Sequence, residues 1–203
     1  MTAIAKRGAR KQPARTSPMK DRILDTAEQL FYRAGIRATG VDTIAAEVGI
    51  SKRTLYNHFP SKDALIAAYL RRGFYEQRPS DLPPVAQILR NFDRLEKGFA
   101  ARDFRGCRFV NAVAELGDDD RAARKIAVDF KEGRRLWFRE RLSAAGAKDA
   151  DGLATELAML VDGAIAMAMV RDDPSVARAA ARAARVLLAD AGLDVGETNA
   201  PAN

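Results

Sequence analysis

The chain has 203 residues, of which 47% are apolar and 30% charged, and its net charge is +7. One cysteine excludes an intrachain disulfide framework, and one histidine leaves too few ligands for most histidine-based metal or triad sites. We therefore expect a cytoplasmic protein with no metal and no cofactor. The most apolar stretch, residues 153–170, contains Glu156 and Asp162, which makes it a poor membrane span.

The positive charge is concentrated in the first third of the chain. Residues 1–62 contain twelve Lys and Arg against five Asp and Glu, whereas the rest of the chain contains 22 of each. Such asymmetry is typical of a protein that binds a polyanion. We favour nucleic acid over a membrane surface because no basic amphipathic helix dominates. A basic tail that only improves solubility is the alternative.

The N-terminal residues predict a disordered arm followed by a helix. Residues 1–17 are basic and lack periodic apolar positions, which favours disorder. Ser17 predicts the N-cap of the first helix, with Pro18 at its first position. Gly35 predicts its end as a left-handed cap.

Three short helices follow in close succession. The second has Thr39 as its predicted N-cap and Gly49 as its stop. Ser51 predicts the N-cap of the third, which runs to Phe59 and ends before a proline, and Ser61 predicts the cap of the fourth. Together the second and third form a helix, a tight turn and a helix.

Five more helical patterns occupy the rest of the chain, and no stretch alternates with the period of a β-strand. Their predicted ranges are 84–101, 104–116, 119–145, 152–171 and 174–191. The sequence thus predicts an all-α protein of about nine helices. We expect four segments: a disordered arm (1–17), a helix-turn-helix domain (18–62), a helical effector-binding and dimerisation domain (63–192) and a flexible tail (193–203).

The third helix carries the residue types that are typical of a DNA-recognition helix. Helical spacing places Leu55 and Phe59 on one inward face with Ile50. A second face carries four polar or aromatic side chains: Lys52, Arg53, Tyr56 and Asn57. Such a face offers donors to guanine and adenine edges, a ring to a thymine methyl group, and contacts to phosphates.

The run from Gly35 to Leu65 has the sequence GIRATGVDTIAAEVGISKRTLYNHFPSKDAL. It resembles the DNA-binding domain of the tetracycline-repressor (TetR) family of transcriptional regulators over about 47 residues, from Ile23 to Ala68. The stretch Gly106–Ala112 is also similar to one found in the C-terminal halves of many relatives. The resemblance implies an N-terminal helix-turn-helix domain and a helical C-terminal domain.

The resemblance also implies roles for individual residues. Lys52 and Arg53 match base-reading positions, and Asn57 shares their face. Tyr56, His58 and Lys62 match positions that contact phosphates, and Thr39 matches the cap of the second helix, which also meets the backbone of DNA. Two residues depart from the family pattern: Gly40 replaces the usual Thr or Ser, and Thr43 replaces a common acidic residue.

The C-terminal helices suggest two further sites. The resemblance implies a cavity for a small effector, and the aromatic and aliphatic candidates for its lining are Phe92, Leu95, Phe99, Phe109, Val113 and Trp137. Few charged residues can be assigned to this interior, so we expect a largely apolar effector. Apolar residues at spacings of three and four on the last two helices predict a homodimer interface, formed by Leu157, Val161, Ala164, Ile165, Ala168, Ala180, Ala184 and Leu187. The alternative is that both faces pack only on the other C-terminal helices.

Three other residues or clusters have simpler interpretations. We expect His58 to contact phosphate rather than act as a base, and Cys107 to be a packing residue rather than a thiol sensor. The acidic run 118–120 predicts the start of a helix, where carboxylates favour the helix dipole, rather than a calcium loop.

The sequence therefore predicts a sequence-specific DNA-binding regulator, a homodimeric repressor released from its operator by a small effector. The first alternative is a helical DNA-binding protein without an effector. The second, an enzyme on a helical scaffold, lacks a recognisable set of convergent titratable groups.

Overall fold

The computed structural model describes residues 18–74, 80–117 and 120–196, and in these ranges it contains ten α-helices and no strand. The helices are α1 (Pro18–Ala34), α2 (Val41–Val48), α3 (Lys52–His58), α4 (Lys62–Arg72), α5 (Pro84–Asp93), α6 (Leu95–Phe99), α7 (Arg108–Leu116), α8 (Arg121–Ala144), α9 (Ala150–Arg171) and α10 (Val176–Asp190). The all-α prediction is confirmed, and the predicted helix at 84–101 is divided at Arg94. The predicted cap Ser17, the arm 1–17 and residues 197–203 of the tail lie outside the described residues.

Local capping fixes the limits of the two helices that follow the tight turn. The Ser51 hydroxyl accepts a hydrogen bond from the amide of Thr54 (3.1 Å), and Ser61 accepts one from the amide of Ala64 (3.0 Å). Gly49 lies in the left-handed region at φ 75°, and the amide of Ile50 donates to the carbonyl of Ala45. This pattern of hydrogen bonds is a Schellman motif, which ends α2 and turns the chain into α3.

The predicted cap of α2 is wrong by one residue. Gly40 occupies the N-cap position and provides no side-chain hydrogen bond. Thr39 is instead buried, and its hydroxyl donates to the carbonyl of Gly35 at 2.7 Å. This hydroxyl therefore satisfies the end of α1 rather than the start of α2.

A first hydrophobic core joins the helix-turn-helix to the middle of the chain. Leu55 and Phe59 of the α3 segment are buried with residues of α1, α2 and α4. The same core includes Phe109 of α7 and Phe130 of α8, whose rings stack with centroids 3.8 Å apart. Cys107 is half-buried and packs against this core, as expected of a structural cysteine.

A second hydrophobic core lies among α5, α6, α8, α9 and α10. The 24-residue helix α8 belongs to both cores, because Phe130 lies in the first and Phe138 in the second. Its start is capped by Asp120, which accepts a hydrogen bond from the amide of Ala123 at 2.9 Å. Asp120 thus starts a helix as predicted, while residues 118–119 lie outside the described residues.

By length and composition alone, α9 could cross a membrane. However, Leu157 and Val161 are buried in the second core, and the Asp162 carboxylate accepts a hydrogen bond from Lys131 of α8 at 2.6 Å. These contacts hold one face of α9 inside the second core.

Replacement of Gly49 by alanine tests the turn between α2 and α3. No neighbouring atom blocks a Cβ at Gly49, so the cost comes from its φ of 75° alone. We expect Gly49→Ala to lower the free energy of unfolding by about 1–2 kcal/mol, measured by urea denaturation.

Gly133 provides the matched control, since it is exposed in the middle of α8 and no atom lies within 4 Å of the position that a Cβ would take. Gly133→Ala should raise the free energy of unfolding by about 0.5–1 kcal/mol because alanine favours helix. Equal effects at both positions would contradict the conformational requirement at Gly49.

Candidate nucleic-acid interface

Helix α3 presents one polar face to solvent. Lys52, Arg53, Tyr56 and Asn57 are exposed on it, whereas Leu55 lies fully buried on the opposite side. The structure therefore brings together the four side chains that the helical spacing placed on one face. Cationic, amide and phenolic groups side by side can contact both base edges and phosphates.

Lys52 is held by a residue that the sequence analysis did not identify. Its ammonium group lies 3.0 Å from the carboxylate of Asp42, in the first turn of α2. This hydrogen bond and the negative charge of Asp42 raise the pKa of Lys52. The two residues are ten positions apart on different helices, so only the geometry of the turn between α2 and α3 brings them together.

The remaining predicted DNA-binding residues lie around α3 in different environments. Lys62 is half-buried at the start of α4, and its ammonium group donates to the carbonyl of Ile36 at 2.7 Å. An ammonium group has two further protons, so this bond still allows a contact to phosphate. His58 is half-buried at the end of α3. Thr39 lies beneath the surface, and its buried hydroxyl is not presented to a ligand.

The start of α1 lies beside the helix-turn-helix. Lys20 places its ammonium group 5.3 Å from the centroid of the Phe59 ring, at the end of α3. Arg22 donates to the carbonyl of Val48 at 3.1 Å, at the end of α2. These contacts join residues 26 or more positions apart, so no local spacing in the sequence could indicate them. They hold the start of α1 against the ends of α2 and α3.

The other end of α1 is linked to α7. The Tyr32 hydroxyl donates to the carbonyl of Gly106 at 3.0 Å and accepts from the amide of Arg105 at 2.9 Å. The guanidinium of Arg108 lies 2.7 Å from the Glu28 carboxylate and over the ring of Tyr69. A cavity of about 550 Å³ lies along this junction between α1, α4 and α7.

The structure does not bring the six predicted effector-pocket residues together. Four of them (Phe92, Leu95, Phe99 and Trp137) belong to the second core. Phe109 and Val113 belong to the first core, where they line a groove of about 390 Å³ between α7, α8 and α9. The spacing of the aromatic residues in the sequence did not indicate in which of the two hydrophobic cores each side chain is buried.

The predicted dimer residues also require correction. Six of the eight are buried within the protomer itself, where a partner cannot reach them: Leu157, Val161, Ala164, Ala168, Ala180 and Ala184. Ile165 and Leu187 are half-buried against the same core. These residues recur at spacings of three and four because α9 and α10 bury one face in the second core of the same protomer.

A different set of apolar residues is exposed on the same two helices. Met159, Gly163, Ala166 and Val170 follow one another along α9 at spacings of three and four. On α10, Val186 is 67% exposed. An apolar stripe of this length on the surface of a soluble protein is typical of an interaction site.

Comparison with known proteins shows similarity along most of the chain. Residues 23–69 match the model of the bacterial regulatory proteins of the tetR family. Residues 84–183 match the C-terminal domain of transcriptional regulators similar to LmrA and YxaF. The two matches together cover most residues of both hydrophobic cores, with Leu70, Ala184 and Leu188 outside them.

Two solved structures are similar over nearly their whole length. A TetR-family transcriptional regulator from Streptomyces coelicolor has a TM-score of 0.79 and 33% identity, over 85% of this chain and 95% of that one. A tetR transcriptional regulator from Streptomyces avermitilis has a TM-score of 0.77 and 31% identity, over 88% of this chain and 100% of that one.

Similarity to curated proteins is confined to a shorter region. The transcriptional repressor KstR2 of Rhodococcus jostii is 42% identical over 60 residues, which are 30% of this chain and 29% of that protein. The first curated relatives are matched over 40% of their own length.

Asp42→Asn tests the electrostatic role of the carboxylate beside α3. The change removes one negative charge from the exposed face and releases Lys52 from its ion pair. We expect binding to duplex DNA to become about two- to fivefold tighter at low salt, and this gain to shrink as salt screens the charges. Fluorescence anisotropy with labelled duplex measures both effects.

Asp129→Asn is the matched control, because Asp129 forms an exposed ion pair with Lys125 on α8, outside the helix-turn-helix. It should leave DNA affinity unchanged. Weaker binding of Asp42→Asn would show that Asp42 positions Lys52 for the contact rather than competing with DNA for it.

Proposed function

Because this chain belongs to the tetR family of bacterial regulatory proteins, we propose that it is a repressor that binds operator DNA through α2 and α3. A small effector bound to the C-terminal helices releases it. The observation that carries the proposal is the exposed polar face of α3, held in place by burial of Leu55 beneath it. Members of this family are regulators, which argues against the enzyme alternative. We propose a cytoplasmic location, since the protein would bind chromosomal DNA there.

In this proposal α3 enters the major groove and reads base edges. Arg53 is exposed in the first turn of α3 and has the fork of donors that suits guanine, and Asn57 can pair with adenine. Tyr56, Lys62 and His58 contact the flanking phosphates, which fix the position of α3 without carrying sequence information. Thr39 supports this interface from within, through its bond to Gly35.

We propose that the protein binds its operator as a homodimer. One helix-turn-helix reads only a half-site, and a two-fold dimer reads two half-sites about 34–36 Å apart. The exposed stripe on α9, formed by Met159, Gly163, Ala166 and Val170, supplies an apolar surface for a second copy. Glycine and alanine in this stripe allow two helices to approach closely. The exposed side chain of Val186 extends the surface onto α10.

We also propose a small, largely apolar effector. The groove between α7, α8 and α9 supports this, since Phe109, Val113 and Ala158 provide apolar contacts along it. At the edge of this groove, the Asp162 carboxylate pairs with both Lys131 and Arg134. The proposed role as a repressor is supported separately by KstR2, a transcriptional repressor that resembles this chain in the DNA-binding region.

Substitutions in α3 should separate base contacts from phosphate contacts. Arg53→Ala should relax the preference at one or two operator positions, because a bidentate contact discriminates between bases by about 1–3 kcal/mol. Tyr56→Ala should weaken binding to all sequences alike, because phosphate contacts carry no sequence information. Selection from a pool of random duplexes, followed by sequencing, measures both outcomes.

The wild-type protein in the same selection defines the operator motif. An unchanged motif for Arg53→Ala would show that this side chain does not read bases. If the wild-type protein selects no motif at all, the proposed function itself is wrong.

Ala166→Arg should disrupt the proposed dimer. It places an arginine in the middle of the exposed apolar stripe, and two-fold symmetry would bring copies of this charge close together without a partner. We expect a folded monomer by light scattering at micromolar concentration, with weakened binding to the full operator.

Ala46→Arg makes the same exposed substitution on α2 and should leave the protein dimeric. Circular dichroism of both variants checks that they remain folded. A wild-type protein that is monomeric at these concentrations would contradict the dimer directly.

A further inference from the structure

The cavity at the junction of α1, α4 and α7 is a second concave site on this protein. Its volume is about 550 Å³, within the roughly 300–1,000 Å³ of small-molecule sites. Of the described residues, none lines both this cavity and the groove between α7, α8 and α9 that we propose for the effector. Four aromatic side chains contribute to its walls: Phe31, Tyr32, Tyr69 and Phe104.

Among the described residues, the hydroxyl of Tyr69 has no hydrogen-bond partner, although Tyr69 is only 2% exposed and lines this cavity. The hydroxyl of Tyr32 differs, because it bonds both the carbonyl of Gly106 and the amide of Arg105. Burial raises the pKa of Tyr69, so its hydroxyl is a protonated donor at neutral pH. A buried donor that bonds to no protein group lacks an acceptor, which a ligand in the cavity would supply.

The charged groups that line the cavity are separated along α7. Arg105 and Arg108 lie at the start of this helix and Glu115 in its last turn, and seven residues of helix span about 10.5 Å. Arg108 is paired with Glu28 at 2.7 Å, whereas neither Arg105 nor Glu115 forms an ion pair with another described residue. One oxygen of Glu115 accepts a hydrogen bond from the amide of Arg37, which leaves its second oxygen as an acceptor.

From these observations we propose that the junction cavity binds a hydroxylated aromatic carboxylate. Its carboxylate accepts hydrogen bonds from Arg105 and from the Tyr69 hydroxyl, and its hydroxyl group donates to Glu115. The carboxylate lies at the arginine end because the guanidinium of Arg108 is 5.1 Å from the centroid of the Tyr69 ring, and hydrogen bonds from arginine to a carboxylate are charge-assisted. The aromatic walls suit the flat rings of such a ligand.

The experiment uses 4′-hydroxybiphenyl-4-carboxylate as the probe, because its two rings hold the carboxylate and the hydroxyl at opposite ends of a rigid rod. Isothermal titration calorimetry of the full-length protein should give one site per protomer, with a Kd of about 10–100 μM for a ligand of this size. The neutral carboxamide analogue should bind at least about tenfold more weakly, since it loses the charge-assisted hydrogen bonds.

Two variants locate the carboxylate of the probe. Tyr69→Phe removes only the hydroxyl and keeps the ring that packs against Phe31, with centroids 5.5 Å apart. Arg105→Gln removes an exposed charge. Each should weaken binding by about fivefold to thirtyfold. Arg94→Gln is the matched control, because Arg94 is exposed and lies outside the cavity, and it should bind the probe as the wild type does.

Glu115→Gln locates the hydroxyl of the probe. The wild type should bind the hydroxylated probe about threefold to tenfold more tightly than biphenyl-4-carboxylate, which lacks the donor. This preference should shrink in Glu115→Gln, because the comparison of two ligands on two proteins isolates the one contact that both changes remove. An equal preference in both proteins would overturn the assignment of Glu115 as the acceptor.

Four other results would overturn the inference. The first is a wild-type protein that does not bind the probe, and the second is equal binding of the neutral carboxamide. The third is wild-type affinity in both Tyr69→Phe and Arg105→Gln, since the probe would then lie elsewhere. The fourth is an equal loss in Arg94→Gln, because net charge alone would then explain the effect. None of these measurements uses DNA, so a failure of the proposed function would be seen separately, in the selection of duplexes.

Discussion

The DNA-reading surface depends on the burial of Leu55 and Phe59 beneath α3. This helix has seven residues, which is too short to be stable alone in water. Its orientation is therefore set by tertiary packing, and the two buried side chains determine which residues face outward. The same core contains the stacked rings of Phe109 and Phe130 from α7 and α8. The position of the recognition surface is thus coupled to the C-terminal helices through direct packing.

This shared core provides a physical route by which an effector can alter DNA binding. The groove proposed for the effector is lined by Phe109, whose ring stacks on Phe130 of α8, so an effector in this groove contacts the first core directly. The Tyr32 hydroxyl adds a polar link from α1 to the turn that precedes α7. A displacement of α7 would break these hydrogen bonds or carry α1 with it. Because α1 also holds the end of α2 through Arg22, either outcome changes the placement of the helix-turn-helix.

Local sequence features predicted the DNA-binding helices well because capping and turn geometry are local. The hydroxyls of Ser51 and Ser61 accept hydrogen bonds from amides only three residues away. Thr39 was misassigned because its hydroxyl satisfies the end of the preceding helix instead.

The dimer surface on α9 was predicted wrongly for another reason. This helix is apolar on several faces, so periodicity could not distinguish the face buried in the protomer from the stripe around Ala166. Long-range pairs such as Lys52 with Asp42 have no signature in the sequence.

The basic side chains around the helix-turn-helix differ in how far they are held by partners within the protein. In the folded domain, basic side chains such as Lys52 and Arg22 stabilise the arrangement of the helices, so their contribution to DNA binding is limited by their internal partners. Arg53 and Asn57 are left exposed for base contacts. Under the proposed function, their exposure lets these two side chains reach base edges directly.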